Sequence, residues 1–391
     1  MTENSPKIAP DTDFDVLCFS HLRWDFVYQR PQHLMNRFAR GSRVFVFEEP
    51  VFTDGAASLE VTPRDGNVLV ALPKLPHGLE AGEISKLLRS FVNELISSHE
   101  ITDHISWYYT PMMREFSDHL TPMAVVYDCM DQLSAFKNAP PDLITREREL
   151  LSAADVVFTG GQSLYEAKKD SHRSVHPFPS SIDVPHFAKA LDIDREPDDM
   201  AGIPSPRIGF IGVIDERMDI GLLERIAQLR PDWHYVMIGP IVKIDENDLP
   251  KRANIHYLGA KSYDELPNYI GTWDVAMMPF AMNESTRYIS PTKTPEYLAA
   301  GRPVVSTPIR DVVRPYGDLG LVHIASTPEE FVGAIEAALD SDTATRRAKA
   351  NEFLSNMSWD TTFSSMLRLI ENAIGARSSP AAQAAKSVGF S

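Results

Sequence analysis

Cysteine is scarce: Cys18 and Cys129 are the only two in 391 residues. So few thiols, so far apart, exclude a disulfide framework and a cysteine-based zinc site, and they fit a reducing cytosol. No apolar run approaches the ~20 residues that a membrane helix needs. Met1 to Asp13 is polar and proline-containing, without the apolar core of a signal peptide. Any membrane contact is therefore expected to be peripheral. Positive charge is short as well: 38 Lys and Arg against 54 Asp and Glu leave a formal charge of −16. That balance repels a phosphate backbone, no segregated basic patch offsets it, and nucleic acid is excluded as a partner. Neither G-x-x-x-x-G-K-[ST] nor G-x-G-x-x-G occurs, which removes the best support for kinase-type P-loops and dinucleotide dehydrogenases.

What is present is a globular composition, 43% hydrophobic and 24% charged, on a chain long enough for two or three domains at ~150 residues each. Short β-branched runs alternate with amphipathic stretches, the pattern of an α/β fold with a mostly parallel sheet covered on both faces. Expected strands are Asp15 to Ser20, Val44 to Glu48, Val68 to Leu72, Ile105 to Tyr109, Ala124 to Asp128, Val156 to Thr159 and Val175 to Phe178. Helices are expected near Gln29 to Arg40, Ile84 to His99, Met112 to Leu120 and Pro141 to Ala153. Between Ala190 and Pro206, five acidic residues and three prolines bury little and cannot continue a helix, so an interdomain linker is expected there. The alternation restarts with strands Arg207 to Ile211, His234 to Ile238, Asn254 to Leu258, Val275 to Pro279, Pro303 to Ser306 and Val322 to Ile324, and a helix Ile220 to Leu229. Helices Pro328 to Leu339, Thr343 to Asn356 and Trp359 to Ile374 follow, and periodicity is lost from Arg377.

Two such domains present the carboxyl ends of their strands to one cleft, so the strand-to-helix loops carry the candidates. The richest is Asn283 to Thr307, NESTRYISPTKTPEYLAAGRPVVST. Ser290 and Thr292 are candidate helix caps, Pro291 and Pro295 suit a first turn, Glu296 is expected one residue into the helix, and Gly301 ends it. An anion before this helix meets backbone N–H groups, the helix dipole and Lys293, while the Glu296 carboxylate can accept two hydroxyl hydrogen bonds, as from a ribose diol. The alternative is a plain capped helix that packs Tyr297, Leu298 and Ala299 on the sheet.

The run from Glu296 to Val305 resembles the donor-binding signature of retaining nucleotide-sugar glycosyltransferases of the GT-B fold, E-[AY]-[ML]-A-[AC]-G-x-P-V-V. That glutamate is the second of an E-x7-E pair in the family, and the first position is Tyr288 here. Ser290, Pro291, Lys293, Glu296 and Tyr297 resemble the S-P-x-K-x-x-E-Y of a bacterial polysaccharide subgroup, with Tyr288, Arg287 and Glu284 as candidates to hold the donor sugar. Phe210 to Asp219 is similar to the family's first strand and phosphate loop, which gives Gly212 and Arg217 phosphate roles. Asp219 stands near the place of a second basic residue, whose charge Lys293 would supply. Asn254 to Phe280 resembles the stretch that places Gly259 and Lys261 beside the base. Phe178 to Phe187 and Trp359 resemble fold markers, the latter on a helix that crosses back.

The resemblance implies two Rossmann-like doubly wound domains: an acceptor-side domain at 14–189, a linker at 190–206, a nucleotide-sugar domain at 207–358 and the crossing helix at 359–376, with flexible tails at 1–13 and 377–391. On the acceptor side, His21, Arg23, Gln29 and Arg30 follow the first strand and are candidates to face the cleft. Asp128 and Asp131 end a strand; either could orient a sugar hydroxyl or act as a base, and Asp131 could instead cap a helix. His172 and His176 have helical metal-pair spacing but no third ligand, and prolines follow at once. The D-x-D triplets at Asp11 to Asp13, Asp13 to Asp15 and Asp192 to Asp194 lie away from strand ends, so no metal is expected.

The resulting expectation is a metal-independent glycosyltransferase with a nucleotide diphosphate sugar as co-substrate, no other cofactor, and a glycan or lipid-linked acceptor. It implies retention of configuration, bacterial cell-surface polysaccharide synthesis, and a cytoplasmic enzyme at the inner face of the membrane. Arg217 and Lys293 stabilise the departing diphosphate, with Asp128 and Asp131 as the candidate carboxylates. A same-fold epimerase or phosphorylase, and a binding or scaffold protein without turnover, are the alternatives.

Overall fold

The computed structural model of this protein describes residues 13–193 and 195–378. The first sheet has nine strands. They are β1 (Asp15–Ser20), β2 (Val44–Glu48), β3 (Val51–Thr53), β4 (Ser58–Pro63), β5 (Val68–Pro76), β6 (His104–Tyr108), β7 (Ala124–Cys129), β8 (Val156–Thr159) and β9 (Val175–Pro177). Their order is β3-β5-β2-β1-β6-β7-β8-β9, parallel throughout except for β4, which lies antiparallel on β5. The second sheet holds β10 (Arg207–Ile211), β11 (His234–Ile238), β12 (Ile255–Tyr257), β13 (Val275–Met278), β14 (Val304–Ser306) and β15 (His323–Ile324). Its order is β12-β11-β10-β13-β14-β15, all parallel.

The helices that cover the first sheet are α1 (Arg30–Phe38), α2 (Ala81–Ser98), α3 (Arg114–Ser117), α4 (Leu143–Ala153) and α5 (Gln162–Lys168), whereas α6 (Val184–Ala188) already packs Phe187 into the core of the second sheet. Around the second sheet lie α7 (Ile220–Leu229), α8 (Leu266–Gly271), α9 (Lys293–Ala299), α10 (Arg310–Val312), α11 (Pro328–Leu339) and α12 (Thr343–Leu354). The last helix, α13 (Trp359–Ser378), returns to the first sheet. Its buried stripe of Trp359, Phe363, Met366 and Ile370 has the spacing of one helix face. Each such side chain contributes about 1.5–3 kcal/mol by leaving water. Arg37 of α1 and Arg40 just beyond its end bind Asp360 in the first turn of α13.

Several expectations are corrected here. β3, β4, α5 and α6 were not anticipated, and the helix expected from Met112 to Leu120 is a 3-10 turn, Pro111–Met113, followed by the single turn of α3. Thr110 accepts the Met112 N–H and fixes that break. The linker is less solvated than its charge suggests: Met200 and Ile203 are buried in the core of the second sheet. α13 runs past residue 376 because Arg377 is held by Asp155 at 2.8 Å and by the Pro122 carbonyl. The remainder of the two expected tails, and part of the D-x-D triplets, lie outside the described residues.

Candidate functional site

In the second sheet the strand order reverses between β10 and β13, and open α/β sheets bind ligands beyond the carboxyl ends of strands at such a point. The chain leaves β10 at Gly212 with φ +144°, a region that only glycine enters without strain. The Gly212 N–H donates to the Ile238 carbonyl at 2.8 Å, so what glycine supplies is room. A β-carbon there would sit 2.2 Å from Lys293 Cε. Tyr297, fully buried in α9, accepts the Ile211 N–H at 2.8 Å and so ties α9 to the end of β10. α9 closes with Gly301 at φ +69°; the Gly301 and Arg302 N–H groups return to the Leu298 and Tyr297 carbonyls, a Schellman ending. Glu296 is the fourth residue of α9 rather than one residue in, and the Thr292 side chain does not cap it.

These elements bring Gly212, Arg217, Ser290, Pro291, Thr292, Lys293 and Glu296 onto one cavity of about 190 Å³. Burial pushes the Lys293 ammonium down to about 8, against the pull of Glu296. The same burial pushes the Glu296 carboxyl up to about 7, opposed by Lys293. The Lys293 ammonium faces the Phe210 and Phe280 rings at 5.5 and 5.9 Å. Arg217 is aimed by Asp215, whose carboxylate accepts from Nη2 at 2.7 Å and Nε at 3.0 Å. Asp219 caps α7 by accepting the Leu222 N–H. Two cations thus converge on a space beside a bare backbone segment, which suits a diphosphate, while Glu296 offers hydroxyl acceptors.

The opposite wall belongs to the first sheet and includes Gln29, Asp131 and Gly160. Burial raises the Asp131 carboxyl, with Arg217 across the cavity pulling the other way. Asp131 does not cap the short 3-10 turn that follows; Gln132 occupies that position. Asp128 is corrected: both its oxygens are taken by Arg30, at 2.9 Å from Nε and 2.8 Å from Nη2, and the pair is at most 1% exposed. The third Arg30 contact, 2.6 Å to the Phe178 carbonyl, completes the guanidinium. Arg30 touches the cavity wall, but its charge is spent on Asp128.

A larger cavity of about 870 Å³ adjoins the first and shares Ile211, Gly212, Val213 and Tyr263 with it. The Trp24 to Tyr28 loop closes one side, and Pro240 and Ala260 to Tyr263 the other. Sequence reasoning missed Trp24, Tyr28 and Tyr263; the available signal was an aromatic cluster next to the first strand and an aromatic four residues after Gly259. Tyr263 stacks on His186 at 4.1 Å and meets Tyr28 of the facing unit at 4.8 Å.

Other expected residues do not converge. Arg23 is turned to Glu48 and the Glu49 carbonyl. His21 is off both cavities, and burial together with Lys243 pushes it down to about 4. Gly259 gives its carbonyl to the Gly239 N–H and lines neither cavity, whereas Lys261 does line the larger cavity, with its ammonium paired to Asp199 at 2.6 Å. Tyr288 faces away from the cavity of Lys293, against the first unit. His172 contacts the Ala154 and Ser174 carbonyls, and His176 the Ser174 hydroxyl. Among the described residues no group of three or more His, Cys, Asp or Glu is placed to hold a metal ion, and no helix is long and apolar enough to cross a membrane.

Residues 205–341 match the glycosyl transferases group 1 family. Over 251 residues the chain is 24% identical to a protein of Bacillus subtilis (strain 168) provisionally named as the teichuronic acid biosynthesis glycosyltransferase TuaH. The match spans 60% of this chain and 63% of that protein, less than two thirds of the relative's length. Sucrose-phosphate synthase of Thermosynechococcus elongatus superposes with a TM-score of 0.71 at 13% identity, over 93% of this chain and 100% of that one. Anabaena HepE, solved in complex with UDP and glucose, gives 0.64 at 14% identity, over 92% and 99%. The chain therefore has the GT-B fold, and its residues 205–341 are a domain of the glycosyl transferases group 1 family.

Proposed function

We propose that this protein transfers a sugar from a nucleoside diphosphate sugar to a glycan or lipid-linked acceptor, with retention of configuration, in cell-surface polysaccharide synthesis at the inner face of the membrane. The observation that carries the reading is the convergence of Lys293 and Arg217 on the space beside Gly212, with Glu296 on the same wall. The diphosphate lies between the two cations, the ribose hydroxyls bind Glu296, and the nucleoside extends into the larger cavity toward Ala260 and Ser262. UDP is the first candidate because it is the nucleotide in the HepE complex.

As the bond to the diphosphate breaks, negative charge grows on the phosphate oxygens. Fixed cations in a dry site stabilise that charge without reorganising, which is where the barrier is lowered. The acceptor hydroxyl approaches from the leaving-group side and gives its proton to a phosphate oxygen. Asp131, on the facing wall, accepts a hydrogen bond from a sugar hydroxyl and orients the ring. Contact of the two units over the cavity excludes water, the competing acceptor. Residues 14–189 with the crossing helix form the acceptor side of this scheme and 207–358 the donor side.

The test is a thermal-shift panel of UDP, GDP, ADP, TDP and CDP on the wild type and Glu296→Ala, with and without magnesium. A nucleotide at 100 times its Kd stabilises the fold by ~2.7 kcal/mol. One diphosphate is expected to shift the wild type without magnesium and to lose its effect in the variant. If none binds at millimolar concentration, the donor-site reading is wrong.

A further inference from the structure

Tyr263 stands where the two cavities meet: it lines the smaller one with Lys293 and Glu296, and the larger one with Ala260 and Ser262. Its hydroxyl oxygen is buried and has no hydrogen-bond partner among the described residues. Tyr235, Tyr257 and Tyr269 of the same unit, by contrast, donate to the Ile226 carbonyl, the Pro250 carbonyl and Asp199. Of the buried polar side-chain atoms left without a partner among the described residues, the Tyr263 oxygen is the one that belongs to a residue lining these cavities. A buried phenol that pairs with nothing opposes folding, so one kept in a cavity wall points to a ligand that completes it.

The ring is not free to turn away. Ser262 and Glu265 cap the short 3-10 turn that Tyr263 opens, with the Ser262 hydroxyl donating to Glu265 at 2.6 Å. His186 stacks on the ring at 4.1 Å with the planes 8° apart, and its Nε2 donates to the Tyr263 carbonyl at 3.0 Å. Phe187 meets the same ring edge-on at 5.7 Å, and Tyr28 of the facing unit meets it at 4.8 Å. Burial, with the charge of Glu296 second, pushes the Tyr263 hydroxyl well above its ordinary value, so it keeps its proton and stands as a donor.

An ionised Glu296 only accepts hydrogen bonds, whereas the phenol can donate one. A secondary hydroxyl suits both, since it gives its proton to the carboxylate and takes one from the phenol. With the diphosphate at Gly212 and the base toward Ala260 and Ser262, the ribose hydroxyl on the base side is the one on C2′, next to the carbon that bears the base. We propose that Tyr263 donates to the ribose 2′-hydroxyl of the donor nucleotide while Glu296 accepts from it, so that the site takes ribonucleoside diphosphate sugars and rejects their 2′-deoxy counterparts, deoxythymidine diphosphate sugars included. Tyr263 has this part only where the donor-cavity reading holds. Without the 2′-hydroxyl the buried phenol stays unpaired, and a site built to bind a hydroxyl discriminates strongly against the ligand that lacks it.

The experiment is titration calorimetry on the full chain, wild type and Tyr263→Phe, with the diphosphate that the thermal-shift panel selects, UDP first, and with its 2′-deoxy and 3′-deoxy forms. The wild type is expected to bind the ribonucleotide tenfold or more tighter than the 2′-deoxy form. Tyr263→Phe is expected to weaken the ribonucleotide and the 3′-deoxy form tenfold or more and to leave the 2′-deoxy form as it is in the wild type. The variant keeps the stacked ring and loses an unpaired group, so its melting temperature is expected to be no lower than that of the wild type; a drop would make the hydroxyl structural and overturn the proposal. Equal binding of the ribonucleotide and its 2′-deoxy form, an equal loss of all three ligands in Tyr263→Phe, a loss that spares the 3′-deoxy form, or selection of the deoxythymidine nucleotide in the panel also overturns it, while the donor reading stands. If no diphosphate binds the wild type, the donor reading falls and this assignment with it.

Discussion

Lys293 occupies the space that a side chain on Gly212 would need: a β-carbon built on that glycine lies 2.5 Å from the lysine ammonium. The loop after β10 and the first turn of α9 are therefore fitted to each other, and the cation stands where the chain is bare. Gly212→Ala must move Lys293 and must also hold alanine at φ +144°, a strain of about 1–3 kcal/mol. The expected result is a folded protein with an unchanged circular dichroism spectrum, a lower melting temperature, and nucleoside diphosphate affinity reduced at least tenfold in titration calorimetry. Wild-type affinity in this variant would show that Lys293 and the backbone at Gly212 do not share a ligand.

The same pair of elements predicts a narrow pH optimum for nucleotide binding. A diphosphate needs Lys293 protonated, and hydroxyl donors need Glu296 ionised. With Glu296 at about 7 and Lys293 at about 8 in the free protein, affinity is gained as pH rises through the first value and lost as it rises past the second. The two limbs belong to an interacting pair and overlap. Binding is expected to peak between about 7 and about 8; Glu296→Gln removes the acid limb, and Lys293→Arg moves the alkaline limb upward. A flat profile from about pH 6 to about pH 9 would remove both groups from the ligand.

Asp128 and Asp131 make opposite predictions although they are three residues apart. Asp128 and Arg30 neutralise each other in the core of the first unit, and breaking such a pair costs about 3–5 kcal/mol because the remaining charge stays buried. Asp128→Asn is expected to unfold at markedly lower urea. Asp131→Asn relieves a carboxyl whose ionised form burial disfavours; its stability should hold while turnover falls about 10- to 100-fold with loss of a charged hydrogen bond. Urea melts and donor-sugar turnover on the two variants separate the roles.

The contrast between these carboxylates also shows where sequence reasoning stops. The strands β1, β2, β8, β10 and β11 are short, apolar and buried on both faces, so composition alone marks their ends. β4 is an edge strand with four of its six residues polar or proline and half of them exposed, and α5 spans only seven residues; neither has enough periodicity to be seen. In the site, Lys293 and Glu296 were legible because one turn of helix brings them together. Asp128 was not, because its partner Arg30 is 98 residues away. Tyr288 was placed on the wrong side, since a residue in irregular chain before a helix has no periodicity to say which way it faces.

Asp311 of the second unit is inserted into the first, where its carboxylate accepts the Ser163 N–H at 3.0 Å and the Ser163 hydroxyl at the start of α5. Gly161 leaves it room: a β-carbon there would be 2.3 Å from the Asp311 oxygen. Next to it Arg310 pairs with Glu166, and Phe136 of the first unit meets Arg217 and Lys243 of the second, 5.7 and 5.5 Å from its ring centre. These contacts clasp the two units together, and exchange of a bulky nucleotide sugar is expected to quicken when a clasp opens. Asp311 is the stronger one, since it is buried and a hydrogen bond to a charged group contributes about 1.5–3 kcal/mol. Asp311→Ala leaves the donor cavity intact and is expected to enlarge the radius of gyration by X-ray scattering and to speed nucleotide release tenfold or more in stopped flow. If release and scattering both match the wild type, opening occurs elsewhere, and the Phe136 edge becomes the hinge to test with Phe136→Ala.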